Sequence, residues 1–80
     1  MRGDARFTFA LPAAGAARLE VFDPQGRRVA TLVHGTLPAG KHTREWNGRD
    51  ANGNLAPVGV YLARLSLANE STSLRMILIR

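Results

Sequence analysis

The sequence predicts an all-β fold: a sandwich of two sheets built from six or seven short antiparallel strands. Three observations carry this. Apolar and polar residues alternate along several segments, which turns one face of each inward. Clusters of Gly, Pro, Asn and Asp punctuate the chain every eight to twelve residues. No segment has the apolar period of an amphipathic helix.

The first strand is Arg6–Leu11, with Phe7, Phe9 and Leu11 on one face, closed by Pro12. The stretch Ala13–Ala17 is alanine-rich but short and broken by Gly15, so it is expected to be a loop. Arg18–Asp23 alternates again, with Leu19 and Val21 inward. Asp23-Pro24-Gln25-Gly26 then reads as a type I turn. Asp caps the turn backbone, Pro presets φ, and Gly takes the left-handed position after them. With Arg28–Val33 as the returning strand, the unit is a hairpin with a three-residue loop and a G1 bulge at Gly26.

Gly35–Gly40 is rich in breakers and reads as a connector. Lys41–Trp46 is a polar strand, which suits the edge of a sheet. Asn47-Gly48 and Asp50-Ala51-Asn52-Gly53 are two further turn signals, the second repeating the Asp-x-x-Gly device. A bent connection follows over Leu55–Gly59. Val60–Leu67 is the longest strand, with Tyr61, Ala63, Leu65 and Leu67 on one face. Ala68–Ser71 reads as a polar turn, and Ser73–Ile79 as the last strand, with Leu74, Met76 and Leu78 inward.

Eighty residues make a single domain. A chain of this size buries only about 60–65% of its unfolded surface, so each large core residue counts heavily. Trp46 is expected at the centre of that core, with Tyr61 packed inside and its hydroxyl reaching a turn backbone. There are no cysteines, which excludes disulfides and cysteine-bound zinc. The formal charge is +5, with one lysine and the remaining cations arginine. These arginines are scattered along the chain and only Arg27-Arg28 are adjacent, so a solvated basic surface is favoured over a nucleic-acid site. No apolar run is long enough to span a bilayer. Met1-Arg2-Gly3-Asp4 has no apolar run behind it, so any export signal is expected outside this chain.

No residue set reads as catalytic. Asp50, Asn52 and Asn54 alternate as calcium ligands do, but lack a downstream bidentate Glu; a turn bonded to its own backbone accounts for them. His34 and His42 have no acidic neighbour in sequence and are expected in solvent at strand ends. Ser66, Ser71 and Ser73 lie outside any nucleophile-elbow context. Lys41, a candidate for an intramolecular Lys–Asn crosslink, sits in a polar segment and is expected to be exposed. No metal or cofactor is expected.

Five stretches together resemble one family. They are Leu19–Val29, Leu32–Gly35, Leu37–His42, Trp46–Gly53 and Gly59–Leu65, in the family's order and spacing. The chain resembles, from Phe7 to Arg80, the Ig-like domain of the flagellar hook-capping protein type. It is similar also to the C-terminal sorting domains of type IX secretion. Departures are Asn47, where the family usually has Asp, and Arg75 and Arg80, where the sorting branch commonly has lysines.

The resemblance implies an immunoglobulin-like β-sandwich without enzymatic activity, spanning residues 1–80 as the C-terminal module of a larger exported bacterial protein. It implies an extracellular or cell-surface location and a role in sorting, surface attachment or spacing. A self-assembling hook-cap scaffold and a carbohydrate- or surface-binding module are the alternatives. The expected partner is a protein, not nucleic acid. The residues expected to meet it are Arg64, Arg75, Ile77, Ile79 and Arg80 of the final hairpin. Trp46, Tyr61, Gly26, Gly40, Gly53 and Gly59 are expected to carry the structure.

Overall fold

The computed structural model describes residues 4–79. Six strands form: β1 (Ala5–Leu11), β2 (Gly15–Phe22), β3 (Arg28–Leu37), β4 (Gly40–Trp46), β5 (Gly59–Leu67) and β6 (Glu70–Leu78). They make a two-stranded sheet, β1-β4, and a four-stranded sheet in the order β3-β2-β5-β6. Every pairing is antiparallel. The architecture is the immunoglobulin-like sandwich, with six strands. Both members of the smaller sheet are edges, which fits the polar composition of β4.

The two Asp-x-x-Gly turns share one pattern of backbone and Oδ1 hydrogen bonds. In the first, Asp23 Oδ1 accepts from the amides of Gln25 and Arg27 at 3.0 and 2.9 Å, and the Gly26 amide donates to the Asp23 carbonyl at 3.0 Å. In the second, Asp50 Oδ1 accepts from the amides of Asn52 and Asn54 at 2.9 and 3.0 Å, and the Gly53 amide donates to the Asp50 carbonyl at 3.0 Å. Gly26 and Gly53 both have φ of 85°, a conformation that strains any residue with a Cβ. One carboxylate oxygen thus satisfies two amides that the sheet ladder does not reach.

Three boundaries differ from the sequence reading. Gly15-Ala16-Ala17 is strand, not loop: Ala17 pairs with both Gly35 and Leu67 and is buried. Gly and Ala are poor strand formers, and pairing with β3, joined at Ala17 by β5, overrides that local preference. Gly35–Leu37 continues β3 opposite Gly15–Ala17, which leaves only Pro38-Ala39 as the connector. Glu70 and Ser71 belong to β6, since Leu67 pairs with Glu70 across the two-residue turn Ala68-Asn69.

β3 carries two irregularities. Phe22 lies opposite Arg28 and Val21 opposite Ala30, so Val29 is an inserted residue. Glu20 lies opposite Thr31 and Leu19 opposite Val33, so Leu32 is a second one. Each bulge resets the alternation. Ala30 and Val33, three apart, therefore both face the core and are buried.

The core has two lobes. Val21, Ala30, Trp46, Ala56, Tyr61 and Leu78 form one; Ala17, Leu19 and Val33 form the other, with Phe7 and Leu32 packed against both. Trp46 is 1% exposed and tilts against Tyr61 with ring centroids 5.1 Å apart. Its indole Nε1 donates to the Arg49 carbonyl at 2.9 Å, and the Tyr61 hydroxyl donates to the Pro57 carbonyl. The polar ends of both rings are thus satisfied where the rings enter the core. The amides of Ala51 and Ala56 donate to the carbonyls of Val29 and Gly48, tying the 47–56 connection to the sheet and to itself.

The smaller sheet does not cover all of the larger one. Leu74 lies opposite Ala63 on the inward side of β6, yet it is 58% exposed. A cleft of about 340 Å³ lies beside it, with Phe7 and Phe9 of β1 on one wall and Leu65 and Leu74 on the other. Among the described residues no helix is long and apolar enough to cross a membrane.

Candidate protein-interaction surface

The outward side of the four-stranded sheet is set by register. Residues on β3, β2, β5 and β6 fall into rows across the strands. One row is Arg28, Phe22, Leu62 and Arg75. The next is Thr31, Glu20, Arg64 and Ser73, and the third is His34, Arg18, Ser66 and Ser71. Val60 opposite Ile77 extends the first end of the face.

Two kinds of chemistry occupy this face. At one end, Val60 and Ile77 are 38% and 52% exposed, beside the half-buried Phe22 and Leu62. A recess of about 310 Å³ opens there, lined by Phe22, Pro24, Val60, Leu62 and Arg64 among others. Across the rest run arginines. Arg75 on β6, Arg64 on β5 and Arg18 on β2 each lie one strand and one row from the next. Strand spacing and rise put successive members of this diagonal about 8 Å apart.

Each cation has a defined neighbour or none. The Arg64 guanidinium lies over the Phe22 ring, 5.1 Å from its centroid. Arg18 Nη2 donates to His34 Nε2 at 3.5 Å. Arg28 Nη1 donates to Glu20 Oε2 at 3.2 Å. Glu20, 6% exposed, is the one acidic side chain in these rows, and this ion pair satisfies it. Arg75 makes no ion pair with the described residues.

The final-hairpin residues singled out from sequence are placed as follows. Arg64, Arg75 and Ile77 share the outward face, and Ile79, 44% exposed, continues its alternation just past β6. Arg80 lies outside the described residues. Gly26 and Gly53 close the two turns, Gly40 opens β4 and Gly59 opens β5. Sequence reading passed over Arg18, Arg28 and Phe22 as part of this face. Their signal was parity: each alternates with Leu19 or Val21, or pairs with a residue that does, but a scattered charge pattern concealed it.

The remaining candidates resolve into structural roles. Asp50 is the acceptor of the second turn, and Asn52 and Asn54 supply amides to it. Asn47 Oδ1 accepts from the Arg49 amide at 3.1 Å, so Asn serves where the family usually has Asp. Lys41 is exposed. His34 is exposed within β3, not at its end. His42 departs further from expectation: it is half-buried on the inward side of β4, its ring centroid 5.7 Å from that of Phe9. Its Nε2 donates to the Pro38 carbonyl at 2.8 Å, a bond that closes the short β3–β4 connection. The paired edge strand carries it inward because it shares parity with Trp46.

Asp23 is held below the usual carboxylate range. The Arg27 amide is the chief cause, opposed by partial desolvation and reinforced by the Arg27 guanidinium, whose Nε lies 2.9 Å from Asp23 Oδ2. Among the described residues no group of three or more His, Cys, Asp or Glu converges as a metal site would require.

Comparison with known proteins places this geometry. The family described as the FlgD Ig-like domain matches residues 1–71. Basal-body rod modification proteins FlgD of Salmonella typhimurium and Salmonella typhi are each 39% identical to the chain over 54 residues, 68% of its length. The chain spans 23% of those relatives. Among solved structures, FlgD of Xanthomonas campestris, described in connection with hook capping essential for flagellar assembly, superposes with a TM-score of 0.69 at 28% identity, over 94% of this chain and 55% of that one. FlgD of P. aeruginosa gives 0.63 at 26% identity, over 92% and 58%. PorZ, an essential bacterial surface component of the type-IX secretion system of Porphyromonas gingivalis, gives 0.62 at 26% identity, over 91% of this chain and 9% of that one. The chain belongs to the FlgD Ig-like domain family.

Proposed function

We propose that this domain is a non-catalytic docking module of a hook-cap-type scaffold in an exported bacterial assembly. Its outward sheet face, with Arg64, Arg75, Ile77 and Ile79, contacts a protein partner. The observation that carries the reading is the combination on one sheet face of exposed apolar residues, an aromatic ring at Phe22 and arginines, the last two being types enriched at protein interfaces. The FlgD family match, together with the likeness to the Xanthomonas campestris FlgD described in connection with hook capping, favours a scaffold in flagellar assembly.

The likeness to PorZ favours a second reading, in which the same sandwich serves export or surface attachment of a larger protein as its C-terminal module. The two readings part in one experiment. The domain is deleted from its parent protein, and export of the parent and assembly of the hook are assayed separately. Loss of hook assembly with export intact supports the scaffold. Loss of export supports sorting. Normal export and normal assembly overturn both.

A further inference from the structure

We propose that the outward face of the four-stranded sheet docks an acidic, aliphatic protein segment, and not a second copy of this chain. The inference rests on the docking-module reading and names the chemistry of its partner. Its rows carry four arginines, Arg18, Arg28, Arg64 and Arg75, against one glutamate, and that glutamate is already paired with Arg28. Three guanidiniums, those of Arg75, Arg64 and Arg18, remain for carboxylates along the diagonal. Arg64 is held over Phe22, so its charge is positioned before a partner arrives.

The apolar end selects among polyanions. A protein segment brings both carboxylates for the diagonal and an aliphatic side chain for the recess beside Phe22, Val60 and Leu62. A sulfated glycan brings charge alone. An anionic bilayer is recognised by clusters of commonly four to eight cations, whereas only three of these arginines are without a carboxylate partner among the described residues and they lie about 8 Å apart. A second copy is disfavoured by charge: two such faces meeting would oppose like arginines, in a chain of net charge +5.

The test titrates the labelled 80-residue chain, followed by amide chemical shifts, with four probes. These are a short peptide alternating glutamate with valine or leucine, its glutamine counterpart, heparin, and phosphatidylcholine vesicles with and without phosphatidylserine. The glutamate peptide is expected to shift the amides of Arg18, Leu62, Arg64 and Arg75, and to bind roughly tenfold more tightly than the glutamine peptide. Arg18→Gln, Arg64→Gln and Arg75→Gln combined are expected to weaken it by about tenfold or more, while Arg6→Gln on the other sheet leaves it unchanged. Trp46 fluorescence checks that each variant is folded. Equal binding by the triple variant, shifts confined to another surface, or preference for heparin or phosphatidylserine vesicles overturns the inference and leaves the docking-module reading standing. A normal parent after domain deletion overturns that reading instead, whatever the peptide does.

Discussion

The two sides of the four-stranded sheet are made from alternate residues of the same strands, and they do opposite work. Inward, β2 and β5 present Ala17, Leu19, Val21, Tyr61 and Ala63, all buried beneath Trp46 and the smaller sheet. Outward, the same strands present Arg18, Glu20, Phe22, Leu62 and Arg64. The inward side is where free energy of folding resides. The outward side has little packing to lose, so its chemistry is free to serve a partner. A one-residue slip would exchange the two, which is why the turns and bulges that hold register matter to function as well as to stability.

Substitutions should separate cleanly by side. Trp46→Ala should have the largest effect, a loss of about 3–5 kcal/mol in urea unfolding. A small domain has only about 5–15 kcal/mol in total, so the variant should be marginal or unfolded at room temperature. Val21→Ala, deeper in the same lobe but smaller, should cost about 2 kcal/mol by the same measurement, with an unchanged m-value. A loss below about 0.5 kcal/mol would mean the core is looser than its burial implies.

Glu20→Gln tests the one outward residue that is buried. It should cost about 1 kcal/mol, since Arg28 remains largely solvated when its partner goes. Acid should weaken the corner beside the apolar recess. Asp23 has a lowered pKa in the folded state, so its contribution is present above the unfolded value near 3.8 and is lost as pH falls through the folded value. Thermal unfolding should therefore show a fall in Tm below about pH 4 that Asp23→Asn makes smaller. Arg64→Gln and Arg75→Gln should have the least effect on folding, within about 0.5 kcal/mol, while affecting partner binding. A stability loss near that of Val21→Ala would erase the distinction between the two sides.

Local chemistry was readable wherever a few consecutive residues decide the outcome. Asp23–Arg27 and Asp50–Asn54 contain their own acceptors, their own amides and the glycine each needs, so both turns follow from sequence alone. The polar face of β4 and the alternation of β1 and β5 are of the same kind. The alanines of Ala16-Ala17 were not readable as strand, because their state is set by Thr36, Gly35 and Leu67 beside them. His42 is a different case: its inward parity with Trp46 follows from a strand over Lys41–Trp46, and only its ring contact with Phe9 and its bond to the Pro38 carbonyl needed the tertiary structure.

Sequence by itself determined that this chain is an all-β sandwich, where its turns fall, and which family its spacing belongs to. Those properties are written in alternation and in five-residue hydrogen-bond devices. Only the tertiary structure decided the strand order, the bulges at Val29 and Leu32, and the gathering of Arg18, Arg64 and Arg75 into one diagonal. The physical reason is that strand neighbours are chosen by backbone hydrogen bonds between segments far apart in the chain. Arg18 and Arg64 are remote in sequence and become neighbours only once β2 has selected β5.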